Sequence, residues 1–282
     1  MTRRLRASIL VIGDEILGGF VTDTNSGWVA RRLQVLGVPL DRIVTVPDDA
    51  SAIHEALHTE LARSRPRLVL TSGGIGSTPD DVTLEAVAAS LGLGLHIHPD
   101  IDAQITAAVQ RTVAAGITVS PGHARSMRKM ARVPEGSSLL RHPEDETTAL
   151  APGVAVDVDG GSGSPQGATV IVLPGIPSEL RRIVSDFIEP TFLAGRGEPE
   201  HVAECTHGYP ESTLNPILDR LAVEFPDVHV GSYPGRECVV RLKGAKERVE
   251  AAESLVTAYL ERLGADPASA RLRSIWQSRW RE

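Results

Sequence analysis

The stretch of the chain that most constrains its fold runs from Leu68 to Glu85, LVLTSGGIGSTPDDVTLE. It begins with an apolar run, continues as a loop rich in glycine, and ends at residues that lead into a helix. A strand buried on both faces, followed by such a loop and a helix, is typical of a parallel α/β sheet. In that arrangement the backbone N–H groups of the loop point toward a bound anion. The stretch therefore predicts an α/β fold with an anion-binding loop, although an ordinary strand-to-helix turn with an acidic cap also fits the loop taken alone.

The residue types of this glycine loop suit a phosphate group. Glycines permit positive φ angles and close approach of the backbone, and hydroxyl side chains add hydrogen-bond donors. The candidate phosphate-binding residues are Ser72, Gly73, Gly74, Gly76, Ser77 and Thr78. Asp80 and Asp81 follow, and paired carboxylates beside a phosphate predict a Mg²⁺ site, because Mg²⁺ usually bridges a carboxylate and substrate phosphates. The loop is neither a P-loop nor a G-x-G-x-x-G dinucleotide fingerprint, since it lacks both spacings.

Two other predicted strands also end in acidic loops. The apolar run Ser8–Ile12 is followed by Gly13-Asp14-Glu15, and the predicted strand Leu40–Val46 is followed by Asp48-Asp49. Parallel strands joined by right-handed crossovers place their carboxyl ends at one edge of the sheet. Each acidic pair by itself is an ordinary cap or a solvated turn, but the repetition at equivalent positions favours a shared site at this edge.

Helix-capping residues lie close to these loops. Asp23-Thr24-Asn25-Ser26 predicts the start of a helix, and capping alone explains Asn25 and Ser26 without any ligand. Thr83 is expected to cap the helix Leu84–Leu91 in the same way. These polar side chains are therefore open to a purely structural interpretation.

A fourth loop is predicted to reach the same edge of the sheet. The apolar run Ala168–Leu173 reads as a strand, and Pro174-Gly175 predicts a tight turn at its end. Pro177 suits the first position of the helix that follows. This loop is expected to form another wall of the site.

The chain is predicted to contain two domains and a tail. The composition changes at Gly195-Arg196-Gly197-Glu198-Pro199, which indicates a linker. We expect an α/β domain over residues 1–195, a small βαββα domain of the two-layer α+β type over residues 200–265, and a basic tail over residues 266–282. In the tail, Trp276 and Trp280 are four residues apart, which fits either a packed terminal helix or a contact element.

Charge and cysteine content exclude several classes of protein. A net charge of −7 argues against a nucleic-acid partner or an anionic membrane surface. Cys205 and Cys238 match neither a metal-ligand spacing nor a disulfide framework, so reduced thiols are expected. The first apolar run stops at Gly13, too early for a signal peptide or a membrane helix. These observations predict a cytoplasmic protein.

Taken together, these segments resemble the molybdopterin-binding superfamily that includes MoaB and MogA, and within it the branch of the N-terminal part of the competence-damage protein CinA. The segments that carry the resemblance, in order and spacing, are Gly13–Gly19, Asp23–Ser26, Asp48-Asp49, Ser72–Thr83 and Leu173–Glu179. In the small domain, the segments that resemble this branch are Gly208–Ser212 and Gly231–Pro234. The family usually has Thr-Gly-Gly and Gly-Pro-Thr in the glycine loop, where this chain has Ser-Gly-Gly and Gly-Ser-Thr; the hydroxyl at Ser72 is kept.

The resemblance implies a three-layer α/β/α sandwich with a mostly parallel sheet that binds a pterin phosphate or a nucleotide at the sheet edge. For the CinA branch it also implies a pyrophosphatase, a hydrolase that uses a divalent metal such as Mg²⁺ to cleave ADP-ribose-like or FAD-like dinucleotides. The key aspartates of the superfamily match Asp48 and Asp81, which are the expected catalytic and metal-binding carboxylates. Asp80 and Asp14 are the alternative carboxylates for this role. The choice between Asp48 and Asp49 stays open. The other ligand-binding residues implied are Gly13, Glu15, Asn25, Ser26, Thr83, Pro174, Gly175, Pro177 and Ser178.

Three functions are compatible with these residues. The first is cleavage of a nucleotide pyrophosphate, favoured by the small domain and the Asp80-Asp81 pair. The second is molybdopterin binding or adenylyl transfer in molybdenum-cofactor biosynthesis. The third is a non-enzymatic sensor or scaffold, in which the acidic residues are dispensable. The resemblance also implies a homo-oligomer, and it does not extend to the amidohydrolase domain of longer relatives, so no deamidase activity is expected.

Overall fold

The structure, a computed structural model, describes residues 4–141, 152–235 and 237–279. The chain divides after Pro199 into two compact units. Trp280, one of the two tryptophans of the predicted tail, lies outside the described residues. Within the described ranges, no helix combines the length and the apolar composition needed to cross a membrane.

The first unit is built on a mixed, mostly parallel sheet. Its described strands are β1 (Arg6–Ile12), β2 (Leu40–Val46), β3 (Arg67–Ser72), β4 (Leu95–Ile97), β5 (Arg132–Pro134), β6 (Ser138–Leu140), β7 (Gly153–Val158) and β8 (Ala168–Leu173). Six of them form one sheet in the order β2-β1-β3-β8-β7-β6. Within this sheet, β2, β1, β3 and β8 pair in parallel. Strand β7 pairs antiparallel with β8, and β6 pairs antiparallel with β7. The remaining two, β4 and β5, form a separate antiparallel pair.

Helices cover both faces of this sheet. They are α1 (Asp14–Leu17), α2 (Asn25–Val35), α3 (Ala50–Leu61), α4 (Thr83–Ser90), α5 (Pro99–Ala114), α6 (Pro121–Lys129) and α7 (Pro177–Ile183), which continues as a π-helical segment (Val184–Leu193). Successive residues of the central strands enter two different cores: Ile9 and Leu70 pack with α2 and α7, whereas Leu10 and Val69 pack with α3, α4 and α5. This burial on both faces explains the unbroken apolar runs in β1 and β3. The predicted three-layer α/β/α architecture is confirmed.

The second unit has its own antiparallel sheet and its own core. Its described strands are β9 (His201–His207), β10 (His229–Tyr233) and β11 (Cys238–Gly244), in the order β10-β11-β9. Its helices are a 3₁₀ turn (Glu211–Leu214), α8 (Asn215–Glu224), α9 (Lys246–Ala265) and α10 (Pro267–Ser278). In this unit Leu221, Val240 and Val256 are fully buried. Part of the predicted tail is helix α10, whose Arg273 guanidinium lies 5.7 Å from the ring centre of Tyr209.

Candidate functional site

The glycine loop after β3 starts with a backbone geometry that requires glycine. Gly73 has a φ of 107°, and a Cβ placed on it would lie 2.1 Å from the carbonyl oxygen of Ile12, the last residue of β1. The backbone N–H of Gly73 donates to the carbonyl of Leu173, the last residue of β8, at 3.1 Å. The loop therefore begins where three neighbouring parallel strands end, which is the edge of the sheet where such folds bind ligands.

Thr83 fixes this loop and does not cap α4, so the predicted capping role is wrong. Helix α4 begins at Thr83 itself, after Val82, and has no side-chain cap. The buried Thr83 hydroxyl donates to the carbonyl of Gly73 at 3.0 Å, and its backbone N–H donates to the carbonyl of Gly74 at 3.0 Å. A Cβ on Gly74 would lie 2.2 Å from that hydroxyl oxygen. Thr83 thus supports the glycine loop through its buried hydroxyl and its backbone N–H.

The two aspartates after β2 point in different directions. Asp49 caps α3 by accepting hydrogen bonds from two backbone N–H groups of its first turn, at 2.9 and 3.0 Å. Asp48 instead accepts the backbone N–H of Asp14 through Oδ2 at 2.8 Å. Its Oδ1 atom lies 3.2 Å from the position that a Cβ on Gly74 would occupy. Of the two, Asp48 is therefore the carboxylate that faces the glycine loop.

Negative charge is concentrated around Asp48. Burial raises the pKa of Asp48, the hydrogen bond from Asp14 lowers it, and the nearby carboxylates of Glu15, Asp14 and Asp80 raise it further, so that its pKa lies above the ordinary value. A raised pKa means that the ionised carboxylate is disfavoured at this place. The glycine loop therefore lies next to several carboxylates, so an anion bound there would be stabilised by a cation.

Asp81 is engaged within the glycine loop. Its Oδ2 atom accepts the backbone N–H of Thr78 at 2.8 Å and also a hydrogen bond from the Thr78 hydroxyl. A Cβ on Gly76 would lie 2.7 Å from the same oxygen. From outside the loop, the Lys129 ammonium donates to the carbonyls of Thr78 and Pro79 at 2.8 and 3.4 Å. Asp81 and Lys129 therefore hold the far end of the loop.

Asn25 joins the glycine loop to the loop after β8, and the capping interpretation is wrong for both Asn25 and Ser26. The cap is the Asp23 carboxylate, which accepts the backbone N–H groups of Asn25 and Ser26 at 2.9 and 3.0 Å and the Ser26 hydroxyl as well. The Asn25 amide donates to the Ser72 hydroxyl at 3.1 Å and to the carbonyl of Gly175 at 2.8 Å. Its Oδ1 atom is buried without a hydrogen-bond partner among the described residues.

Two adjoining clefts lie at this edge of the sheet. The larger, of about 440 Å³, is lined by Glu15, Gly73, Gly74, Ile75, Gly76, Asp81, Met130, Pro174, Gly175, Ile176 and Glu179. The smaller, of about 120 Å³, shares three of these residues and adds, among the predicted ones, Asn25, Ser72 and Pro177. The predicted site residues that line neither cleft are Gly13, Asp14, Ser26, Asp48, Ser77, Thr78, Asp80, Thr83 and Ser178.

The cleft contains residues that the sequence reasoning missed. Ile75, Met130 and Ile176 give the larger cleft an apolar wall, and Glu179 lies beside them. Burial raises the pKa of Glu179, partly offset by the positive charge of Arg182. Glu179 lies in the first turn of α7, at the end of the segment Leu173–Glu179 already singled out, so its position was a usable signal. Met130, in contrast, has no local signal that ties it to the glycine loop.

The carboxylates fit a metal that is shared with a substrate, and they do not form a complete cage. Among the described residues, no three His, Cys, Asp or Glu side chains are grouped so as to hold a metal ion, so Asp48, Asp80 and Asp81 do not form a complete ligand set. Mg²⁺ usually keeps several waters and uses only one or two carboxylates together with substrate phosphates. Asp48, beside the glycine loop, is suited to that kind of binding.

Comparison with known proteins identifies the family. Residues 8–194 match the family described as "Probable molybdopterin binding domain". The chain belongs to this family. A protein of Aeropyrum pernix is 35% identical over 237 residues, covering 83% of this chain and 81% of that protein.

Relatives of the CinA branch are also similar to this chain. A CinA-like protein of Myxococcus xanthus is 34% identical over 80% of this chain, which corresponds to 51% of that longer protein. The crystal structure of the protein CinA with unknown function from Thermoplasma acidophilum covers 67% of this chain and 98% of its own, at 30% identity and a TM-score of 0.52. The resemblance to a CinA-like branch of the molybdopterin-binding family is confirmed.

Proposed function

We propose that this chain binds the phosphates of a nucleotide or pterin at the glycine loop and, with a divalent cation, hydrolyses the pyrophosphate bond of dinucleotides such as ADP-ribose or FAD. The observation that carries the proposal is the position of Asp48. Its Oδ1 atom lies close to Gly74, and the carboxylates of Asp14, Glu15 and Asp80 surround it. A phosphate next to these carboxylates is repelled unless a cation is present. A Mg²⁺ bound to the phosphate would offset the negative charge of both the phosphate and the carboxylates.

The chemistry of this reaction suits the residues present. Water attacks one phosphorus in line, the P–O–P bridge breaks, and the bridging oxygen leaves with the other phosphate. A bound divalent metal supplies charge neutralisation for this step. Asp48, whose pKa is raised by burial, is a better proton acceptor than an ordinary aspartate and is suited to take the proton of the water or to hold the metal. Asn25 keeps the Ser72 hydroxyl and the Gly175 backbone in fixed positions around the phosphates.

The decisive experiment is a cleavage assay with a matched pair of variants. Purified protein is incubated with ADP-ribose, FAD or ATP and with Mg²⁺, Mn²⁺ or Co²⁺, and release of a nucleoside monophosphate is measured. We expect metal-dependent turnover and a fall in kcat/KM of about 100-fold or more in Asp48→Asn. Asp49→Asn is the control, since asparagine caps a helix as well as aspartate does, and it should stay within about twofold of wild type.

A second candidate function is molybdopterin binding or adenylyl transfer in molybdenum-cofactor biosynthesis. The match of residues 8–194 to the molybdopterin-binding family favours it. Absence of turnover, together with binding of a pterin phosphate that Asp81→Ala weakens, would support this second function, because Asp81 holds the glycine loop. Absence of both turnover and binding would contradict both proposals.

A further inference from the structure

Apart from the two adjoining clefts of the candidate site, the first unit has a second cleft region, of about 420 Å³, at the opposite edge of the sheet. Its walls include Leu5, Pro66 and Pro165, which precede the strands β1, β3 and β8, and the segment Gly195–Glu198 after the π-helical segment. The glycine loop instead follows the carboxyl end of β3. All residues that line this second cleft belong to the first unit. It is therefore separate from the candidate site.

One wall of the second cleft carries an arginine, Arg196, that has no carboxylate partner among the described residues. Nη1 of Arg196 donates to the hydroxyl of Ser162 at 3.1 Å, and Ser162 is only 4% exposed. No carboxylate among the described residues lies within ion-pair distance of this guanidinium, and its other N–H groups have no acceptor there. A Cβ on Gly163 would lie 3.3 Å from Nη2, so the glycine leaves room for the guanidinium.

A second arginine, Arg4, lies on the same cleft and has one exposed carboxylate near it. Nη2 of Arg4 donates to the carbonyls of Gly37 and Glu198 at 2.6 and 3.0 Å, which fixes the side chain. Its Nε atom is buried and has no hydrogen-bond partner among the described residues. The Glu198 carboxylate is 3.9 Å from Nη1, but it is 84% exposed, and such surface ion pairs are weak.

We propose that this second cleft binds a phosphate group of a small molecule. Guanidinium groups match the geometry of phosphate oxygens with two parallel hydrogen bonds. The charged residues that line the cleft are two arginines and one exposed glutamate, so its lining carries a net positive charge. The volume of the cleft falls in the range of small-molecule sites, about 300 to 1,000 Å³. The proposal does not depend on the activity at the glycine loop.

A purely structural role for these arginines makes a different prediction. If Arg4 and Arg196 only tie the segment Gly195–Glu198 to the strands, their removal lowers stability and no anion binds. If the cleft binds phosphate, an anion raises the melting temperature of the wild-type protein, and loss of a guanidinium removes that increase. The two roles are therefore separable by measuring binding directly.

The test is isothermal titration of the full chain with inorganic pyrophosphate in EDTA. Without a cation, the carboxylates around Asp48 disfavour anion binding at the glycine loop, so binding reports on the arginine cleft. We expect one equivalent of pyrophosphate to bind the wild type, and we expect Arg196→Gln and Arg4→Gln to weaken it about tenfold or more. Arg111→Gln, an exposed charge-matched control on α5, should stay within about twofold of wild type.

Three results would overturn the proposal. They are the absence of measurable binding by the wild type, equal binding by an Arg196→Gln variant whose melting curve is native, and citrate binding as tight as that of pyrophosphate. If Arg196→Gln does not fold, Arg196→Lys is tested in its place. Lysine keeps the positive charge but lacks the planar guanidinium group that donates two parallel hydrogen bonds. That variant should fold and bind several-fold more weakly than wild type, and unchanged binding would again contradict the proposal.

Discussion

Two neighbouring aspartates at the end of β2 have opposite consequences for the molecule. Asp49 uses its carboxylate to cap α3 and so stabilises a helix. Asp48 is half-buried beside the glycine loop, where burial and nearby carboxylates raise its pKa and only the N–H of Asp14 stabilises its charge. An ionised group held in this way reduces the stability of the fold, which is a common feature of functional sites.

We expect Asp48→Asn to stabilise the metal-free protein at neutral pH. The folded-state pKa of Asp48 lies above its ordinary value of 3.8, so the folded state binds the proton more tightly than the unfolded state does. The destabilisation by ionised Asp48 is absent below pH 3.8, where the group is protonated in both states, and grows as the pH rises through the raised pKa. In EDTA at pH 7, the melting temperature should rise by about 1–3 °C.

The control for this prediction is Asp49→Asn, which keeps the cap and should leave the melting temperature within about 1 °C of wild type. The difference between Asp48→Asn and wild type should also shrink steadily as the pH is lowered. A destabilised Asp48→Asn variant at pH 7, or a stabilisation that increases toward acid pH, would show that the environment of Asp48 is not the one described.

At the scale of elements, the glycine loop is held by parts of the chain that are distant in sequence. The ends of β1 and β8 approach its first residue, Thr83 of α4 supports it from beneath, and Lys129 at the end of α6 holds its far end. A loop with this many fixed points keeps its N–H groups in place before a ligand arrives. Such preorganisation lowers the entropy lost on binding.

We expect Gly73→Ala to disrupt the loop, with a loss of at least about 3 kcal/mol in the free energy of unfolding. The new Cβ would meet the Ile12 carbonyl oxygen in addition to requiring a positive φ. Gly92→Ala is the matched control, because Gly92 also has a positive φ but has no atom within 4 Å of the new Cβ. Its loss should be about 1–2 kcal/mol. Chemical denaturation of both variants tests this, and equal losses would show that the close approach to β1 is unimportant.

We expect Lys129→Gln to loosen the far end of the loop without unfolding α6. Loss of a charged hydrogen bond of about 1 kcal/mol should speed amide exchange in residues 76–81 by roughly three- to tenfold. Arg128→Gln is the neighbouring control, since Arg128 pairs with Asp102, 3.1 Å away. Hydrogen exchange followed by mass spectrometry measures both variants. Unchanged amide exchange in Lys129→Gln would show that Lys129 does not hold the far end of the loop.

At the scale of the whole molecule, each unit has a core of its own. The first unit contains both layers of apolar side chains around the six-stranded sheet, and the second has a separate core against its three-stranded sheet. Both described clefts at the glycine loop are lined only by residues of the first unit. We therefore expect the first unit to carry the candidate site by itself.

A chain truncated after Pro199 should fold and keep the ligand affinity of the full chain. Ending at this residue retains the contact of Gly197 with Leu36 and Gly37. Circular dichroism should show a cooperative melt within about 3 °C of the corresponding transition of the full chain. A truncated chain that aggregates, or that melts without cooperativity, would show that the second unit is required for the first to fold.

The sequence by itself determined the features that depend on neighbouring residues. Apolar runs predicted β1, β3 and β8, because a strand buried on both faces reads as a nearly continuous apolar run. The glycine loop and the order of its companion segments predicted the family. The helix predicted over Leu84–Leu91 is observed one residue earlier, as α4 (Thr83–Ser90), because the pattern of burial along a helix is local.

Only the tertiary structure decided what individual polar side chains do. The selection of Asp48 over Asp49 depends on side-chain directions within a single turn, and both residues suit either role chemically. Asn25 looked like a cap because its real partners, Ser72 and Gly175, are 47 and 150 residues away. Lys129 holds a loop 51 residues before it. Contacts at such separations arise only when the sheet brings its strand ends together, and local patterns do not encode them.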